Sequence, residues 1–322
     1  MLFWIIDEEW PDYEVETAIL KEKYPDCEIR FSKNDYTKDL EEFGYKADAI
    51  IAQVYVYIPK ETIDKLENCK CIALFGGGFD RVDVAYASTK GISVTNVQGY
   101  CAEDLADYVM AGIYHFNKKL EFYSESISDN LWGAQAAKPE NGSIKRISAS
   151  TLLIIGCGKI GSTVSMKATS LGMKVIAYDP YVSAEKMAEC GATKVEWDEG
   201  LAQADFISIN AKLYEETTGL LKYDDFKKMK RSAYLINTAR GRIIVESDFI
   251  RAVNEGLIMG AVVDVISNEP PTPDEEIFKC ENILVTPHVS YISEESYTEL
   301  KVRATTNAIK MLNGEKPSDL VS

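Results

Sequence analysis

The chain has 322 residues, 46% of them hydrophobic and 27% charged, an ordinary composition for a folded protein with apolar side chain enough for one or two cores. Its 51 acidic and 35 basic residues leave a formal net charge of -16, which disfavours nucleic acid and anionic membrane as partners. No apolar run is long enough to cross a bilayer, and "MLFWIIDEEW" turns acidic after six residues without a basic segment before it. A first strand is therefore expected there rather than a signal peptide. Seven cysteines, scattered and without a CxxC pair, indicate neither a disulfide framework nor a metal site, and a reducing cytoplasm is the expected compartment.

In chain order, apolar runs predict strands at "LFWII" (2–6), "AIIA" (49–52) and "CIALF" (71–75). A helix follows in "EDLADYVMAGIYHF", where Leu105, Tyr108, Val109, Gly112, Ile113 and Phe116 recur at helical spacing. His115 falls beside that stripe and reads as structural. The polar stretch "KPENGSIKRISAS" (138–150) marks a loop, after which a fresh strand–helix alternation begins. Its strands are "TLLIIG" (151–156), "KVIAY" (174–178), "FISIN" (206–210), "AYLIN" (233–237), "GAVVDV" (260–265) and "NILVT" (282–286). A last helix runs from about Glu294 to Leu312, with Gly314 placed for its C-cap and Pro317 beyond. Strands apolar throughout and alternating with helices imply parallel sheets covered on both faces. The expected architecture is a nucleotide-binding domain inserted into a second domain built from both chain ends, with the two long helices connecting them.

"LLIIGCGKIG" spaces Gly156, Gly158 and Gly161 as GxGxxG. Glycines at this spacing also occur in ordinary turns. Here they follow a strand and open a helix, and Asp179 stands 23 residues after Gly156, at the end of the next strand. Gly156 permits the tight turn, Gly158 lets a pyrophosphate approach the backbone, and Gly161 allows close helix packing. Lys159 and Ile160 complete the loop, whose N–H groups and helix dipole favour phosphate. The Asp179 carboxylate suits two ribose hydroxyls and repels a 2′-phosphate, and "PYVSAE" supplies no Arg to offset it, so NAD(H) is expected rather than NADP(H).

Three polar residues end downstream strands: Arg240 in "INTARGRIIVE", Glu269 in "DVISNEPP" and His288 in "LVTPHVS". Open α/β sheets bind ligands at that edge. Reduction of a ketone by hydride needs a cation to hold a carboxylate and polarise the carbonyl, which a guanidinium supplies. It needs a proton donor, for which imidazole, titrating near ~6.5 in water, is suited. It also needs a group that orients the imidazole and favours its charged form, as a carboxylate does. Any one of these residues alone reads as packing or surface. Their combination behind a dinucleotide motif points to catalysis.

These pieces, with "GGGFDRVDVAYASTKGISVTNVQGY" (76–100) and "TPHVS" (286–290), resemble the D-isomer-specific 2-hydroxyacid dehydrogenases over nearly the whole chain. The resemblance implies an α/β fold in which a Rossmann-type NAD-binding domain (101–289) is inserted into a flavodoxin-like α/β substrate domain (1–100 and 290–322). It implies Arg240, Glu269 and His288 as the catalytic set, and the N–H groups of Gly77 and Gly78 as donors to the substrate carboxylate. Thr238, Ala239 and Asp264 would approach the nicotinamide, Asp264 accepting from its carboxamide. A homodimer built on the nucleotide-binding domain is the usual state in the family. The implied activity is NAD-dependent interconversion of a 2-keto acid and its D-2-hydroxy acid.

Departures from the family pattern bear on the substrate. Gln53 stands where phosphoglycerate dehydrogenases carry an Arg, and Leu74 and Phe75 replace another cation before the glycines, so a second anionic group on the substrate loses its anchor. A phosphoglycerate- or hydroxypyruvate-type enzyme of the same family is an alternative. Glu269 argues against the formate-oxidising branch, which typically has Gln there. Tyr55, Tyr57, Tyr100 and Tyr291 suggest a pocket for an apolar or aromatic 2-keto acid, although Tyr is abundant here at 18 residues and packing is the plainer account. Asn210 and Lys212 replace the common "HxP", which alters the expected cofactor contacts. A different class of function, an NAD(H)-responsive regulatory protein like the C-terminal binding protein corepressors, keeps the same Arg–Glu–His set.

Overall fold

The computed structural model describes residues 1–129, 131–136 and 144–321, so residues 138–143 of the expected loop lie outside the described residues. The chain divides into two units, Met1–Tyr100 with Ile292–Ser322, and Cys101–Tyr291. The first unit carries strands β1 (Leu2–Ile6), β2 (Glu28–Ser32), β3 (Ala49–Gln53), β4 (Cys71–Phe75) and β5 (Ser93–Thr95). They form one parallel sheet in the order β2-β1-β3-β4-β5, the flavodoxin-like winding. β3 and β4 are buried along their whole length, as near-continuous apolar sequence requires of a strand covered on both faces.

One face of this sheet packs Phe3, Ile5, Ile51, Ala73 and Phe75 against Leu300, Ala304 and Ala308 of the helix Glu294–Leu312. A reciprocal Ser293–Ser296 capping box starts that helix, and Gly314 with φ +77 follows its end. The other face buries Trp4, whose indole N–H donates to Ser32 Oγ at 2.8 Å while its ring meets Tyr36 and Phe43 edge-on.

The second unit carries β6 (Thr151–Ile155), β7 (Lys174–Tyr178), β8 (Thr193–Lys194), β9 (Phe206–Ile209), β10 (Tyr234–Asn237), β11 (Gly260–Val263) and β12 (Ile283–Val285). The parallel order is β12-β11-β10-β9-β6-β7-β8, a doubly wound Rossmann sheet whose direction of winding switches beside β6. The helix Ala102–Lys118 belongs to this unit, with Leu105, Val109, Gly112 and Ile113 buried. A Cβ on Gly112 would lie 3.4 Å from Ile236 in β10, so the small residue sets how closely helix and sheet approach. His115 is half-buried and edge-on to Phe116.

Strands β2, β5 and β8 went unread in the sequence. β2 is an exposed edge, and β5 and β8 hold three and two residues, too few for a periodic signal. β11 also ends at Val263 rather than Val265, with the Asp264 N–H making the last ladder bond to the carbonyl of Asn237. No helix among the described residues is long and apolar enough to cross a membrane.

Candidate active site

The glycine-rich turn leaves β6 at Gly156, whose φ is +90 and whose added Cβ would lie 2.7 Å from the backbone of Ala211. A Cβ on Gly161 would fall 2.1 Å from the Gly156 carbonyl oxygen, so only glycine lets the helix Lys159–Ser170 start this close to the turn. Gly158 is different: a Cβ there meets nothing within 4 Å, which leaves open space above the backbone. No side chain caps this helix, so the first-turn N–H groups, including those of Lys159 and Ile160, are available to an anion. At the end of β7, Asp179 accepts from Cys157 N and Tyr181 N, both at 2.9 Å, and each oxygen keeps lone-pair capacity for a ribose hydroxyl.

Two buried polar atoms along the same edge have no partner among the described residues: Asn210 Oδ1 after β9 and Thr238 Oγ1 after β10. The Asn210 amide nitrogen is tied to Ser208 O and Oγ, which leaves its oxygen as the free acceptor. Such orphans cost about 1–3 kcal/mol each unless a ligand satisfies them. The open cradle, the uncapped helix start, the ribose-type carboxylate and these orphans together fit a dinucleotide.

The three residues expected to be catalytic lie in the loops that follow β10, β11 and β12, adjacent strands on the far side of the sheet from Asp179. Asn237, fully buried at the end of β10, holds the Arg240 loop: its Nδ2 donates to Arg240 O at 3.0 Å and its Oδ1 accepts from Ala239 N at 3.0 Å. A Cβ on Gly241 would lie 2.0 Å from the Ile266 carbonyl carbon, so that glycine lets the loops after β10 and β11 touch. Glu269 Oε1 accepts from Ile266 N at 3.0 Å, and Glu269 Oε2 lies 3.1 Å from His288 Nδ1. Burial pushes the Glu269 carboxyl up, but His288, the Ile266 N–H and the Arg240 guanidinium together hold it below the usual carboxylate range. The structure therefore brings an ionised carboxylate, an imidazole and a guanidinium into one electrostatic cluster. Tyr291 meets His288 edge-on, with ring centroids 6.3 Å apart.

The residues expected at the substrate lie mostly in the first unit. The Gly77 and Gly78 N–H groups donate to no protein acceptor among the described residues, while Asn96 Nδ2 holds the Gly77 carbonyl at 2.7 Å. Gln53 is buried, and its amide nitrogen donates to Glu9 Oε2 at 3.2 Å. Tyr55 sits under the Arg81 guanidinium, Tyr100 packs against the core beside the last helix, and Tyr57 is exposed.

A family model for the NAD-binding domain of D-isomer specific 2-hydroxyacid dehydrogenases matches residues 110–290. The chain belongs to this family of NAD-dependent oxidoreductases. It is 30% identical to a glyoxylate reductase of Korarchaeum cryptofilum over 85% of its own length and 82% of that protein's. It is also 30% identical to C-terminal-binding protein 1 of Caenorhabditis elegans over 96% of its own length, but spans only 43% of that longer relative. Among solved structures, it superposes on a D-lactate dehydrogenase of Aquifex aeolicus complexed with NAD and lactic acid, with a TM-score of 0.87, 25% identity, and 100% and 99% of the two chains covered.

Within this dehydrogenase, Asp264 makes contacts beyond the cofactor role expected of it, and Tyr108, Thr286 and Glu246 escaped the sequence reading as parts of the site. The Asp264 carboxylate accepts from Thr286 Oγ1 at 2.5 Å, Val289 N at 2.9 Å and Ser290 N at 2.8 Å, and the Asp264 carbonyl accepts from His288 N at 2.9 Å. This clamp holds His288 at φ +56, a left-handed conformation that costs a non-glycine residue about 1–2 kcal/mol. Tyr108 hydrogen-bonds to Thr286. Because Thr286 spends its proton on Asp264, the tyrosine is the donor. Glu246 Oε2 accepts from Ser267 N at 2.8 Å and steadies the loop that leads to Glu269.

Proposed function

We propose that this dehydrogenase interconverts a 2-keto acid and its D-2-hydroxy acid with NAD(H). The observation that carries the reading is the 3.1 Å pairing of His288 Nδ1 with Glu269, beside the charge of Arg240. A nicotinamide bound at this edge would supply the hydride for reduction and accept it in oxidation. Arg240 forks onto the substrate carboxylate and draws electron density from the carbonyl. His288 Nε2 gives its proton to the carbonyl oxygen during reduction and takes it back during oxidation. Glu269 keeps the Nδ1 proton in place and stabilises the imidazolium. Gly156, Gly158 and Gly161, the first-turn N–H groups, Asp179, Asn210, Thr238, Ala239 and Asp264 are the proposed cofactor residues.

The side chain of the keto acid is proposed to be apolar or aromatic, on the strength of Tyr55, Tyr100 and Tyr291. A homodimer and a reducing cytoplasm belong to the same proposal. Exposed Leu120, Ile127 and Trp132, the last 78% accessible, offer apolar surface for a second copy, and all seven cysteines are free. The test is NADH oxidation with a panel of 2-keto acids, in which His288→Ala should lose roughly 10²–10⁴-fold in kcat. Turnover that survives that substitution would remove the acid/base assignment. The likeness to C-terminal-binding protein 1 favours a second reading, NADH-dependent partner binding without turnover, and the same panel separates the two.

A further inference from the structure

The turn that leaves β4 holds two successive N–H groups, those of Gly77 and Gly78, that reach no acceptor among the described residues. Their aim is set from the neighbouring strand. In a regular strand, successive carbonyls point to alternate sides. Here the Gly76 carbonyl accepts from Val97 N at 2.8 Å, and the next carbonyl, that of Gly77, accepts from Asn96 Nδ2 at 2.7 Å. Both carbonyls therefore turn toward the segment after β5. The peptides that join Gly76, Gly77 and Gly78 are trans, and in a planar trans peptide the N–H points opposite to the C=O. Pinning the two carbonyls thus aims the Gly77 and Gly78 N–H groups away from residues 96 and 97, on one side of the turn. Adjacent N–H groups on one side form a concavity for an oxyanion. Gly77 is exposed and Gly78 half-buried, so a ligand can reach them.

The bond from Val97 is made by the backbone, whatever the side chain there. The bond from Asn96 depends on the side chain. Asn96 is 1% exposed and firmly seated: its N–H donates to Asp319 O at 3.3 Å, and its carbonyl accepts at 3.3 Å from Asn307 Nδ2 of the helix Glu294–Leu312. Asp319 is itself held by Arg303 Nη2, 2.8 Å from each carboxylate oxygen. Yet Asn96 Oδ1 is buried without a partner among the described residues. An orphaned buried acceptor is a cost that a side chain serving only to pack would not carry. What an amide of this length supplies here is the N–H to Gly77. Aspartate has the same shape but would set oxygen against oxygen.

We propose that Asn96 is a positioning residue for the substrate carboxylate, holding the Gly77–Gly78 peptide so that its N–H faces the bound anion. The inference rests on the keto-acid reading above and on the assignment of Gly77 and Gly78 to the carboxylate. Without the Asn96 donor, the glycine on either side lets this peptide turn. The N–H is then presented only part of the time, and affinity for the carboxylate falls by that fraction. The carboxylate is held in the ground state and the transition state alike, so the loss falls on KM and leaves kcat nearly unchanged.

The experiment measures KM and kcat for the 2-keto acid that the enzyme reduces fastest, with the Kd for NADH as a control. KM does not depend on the fraction of enzyme folded, so a merely structural defect that inactivates part of the sample leaves it in place. Asn96→Ala and Asn96→Asp should each raise KM about tenfold or more, the value of one charge-assisted hydrogen bond, with kcat within about threefold and the NADH Kd unmoved. An unchanged KM in either variant, or a fall in kcat alone, overturns the proposal and leaves the keto-acid reading standing. Hydrogen exchange by NMR on the unaltered enzyme, with NADH and the D-2-hydroxy acid as a pair that cannot react, decides the matter if neither variant folds. The Gly78 N–H should exchange freely until the hydroxy acid binds and then gain protection of about tenfold or more, while the Asn96 side-chain amide should be protected with or without it. A Gly78 N–H indifferent to the hydroxy acid, or a freely exchanging Asn96 amide, overturns the proposal. Reduction of no 2-keto acid by the unaltered enzyme would bring down the keto-acid reading and this proposal with it.

Discussion

Replacing Glu269 by Gln removes the charge facing His288 while keeping the size of the side chain. At 3.1 Å and an effective dielectric constant near ~20, the ion pair has a Coulomb term of about 5 kcal/mol, an upper bound that solvent and the residual amide dipole reduce. About 1.4–2.7 kcal/mol of it, a tenfold to hundredfold change in rate, should survive those reductions. The glutamine also cannot satisfy both neighbours. If its oxygen keeps the Ile266 N–H, its NH₂ faces Nδ1 and demands an acceptor there; if the oxygen serves His288, the Ile266 N–H is stranded. The imidazolium of either direction loses its counter-charge, so kcat/KM should fall about tenfold to hundredfold for reduction and for oxidation alike. NADH consumption and NAD⁺ reduction read the two directions. A Glu269→Gln enzyme that keeps the original kcat/KM in both would refute the assignment of Glu269 as the partner that stabilises the charge on His288.

Other perturbations separate the remaining parts of the site. Gly158→Ala adds a methyl where nothing lies within 4 Å, so thermal stability should stay within a degree or two while the Kd for NADH, read by its fluorescence, rises at least about tenfold; an unchanged Kd would move the pyrophosphate elsewhere. Asp264→Asn puts an NH₂ among three donors and should cost about 2–4 kcal/mol in urea unfolding, against about 1–2 kcal/mol for Thr286→Val, which breaks the bonds to Asp264 and from Tyr108; the reverse ranking would be incompatible with the clamp. Asp205 is raised by burial, yet Lys145, the Thr151 N–H and Lys230 outweigh that and lower its carboxyl overall. A depressed folded pKa contributes stability above the unfolded carboxyl value near ~3.9, and that contribution is lost as pH falls through the lower folded value. Asp205→Asn should therefore cost about 1–2 kcal/mol at neutral pH, after allowance for the partly exposed lysines, and the gap should close in acid. A gap of undiminished size well below that lowered folded value would show that charge is not its source.

What could be read from sequence tracks how local each signal is. A strand buried on both faces, such as "AIIA" or "TLLIIG", writes its burial into consecutive residues, whereas the edge strand "EIRFS" exposes most of its side chains and carries no such run. Arg240, Glu269 and His288 could be proposed as a set because each follows an apolar run, and a parallel sheet gathers strand ends along one edge. The contacts of Tyr108 and Asp264 depend instead on partners 178 and 22 residues away, and on which oxygens are already occupied.

His288 shows why the second kind of information stays hidden. A left-handed backbone usually announces itself as glycine, yet the proposed catalysis requires an imidazole at this position, so the strain cannot be relieved by changing the residue. The loop is held by four hydrogen bonds accepted by one residue, Asp264, which by its position at the end of β11 reads only as a cofactor ligand. In the proposed site a single buried residue both aims the acid/base loop and borders the nicotinamide. Damage to Asp264 should accordingly lower stability and turnover together, whereas Glu269→Gln should lower turnover with much less effect on folding.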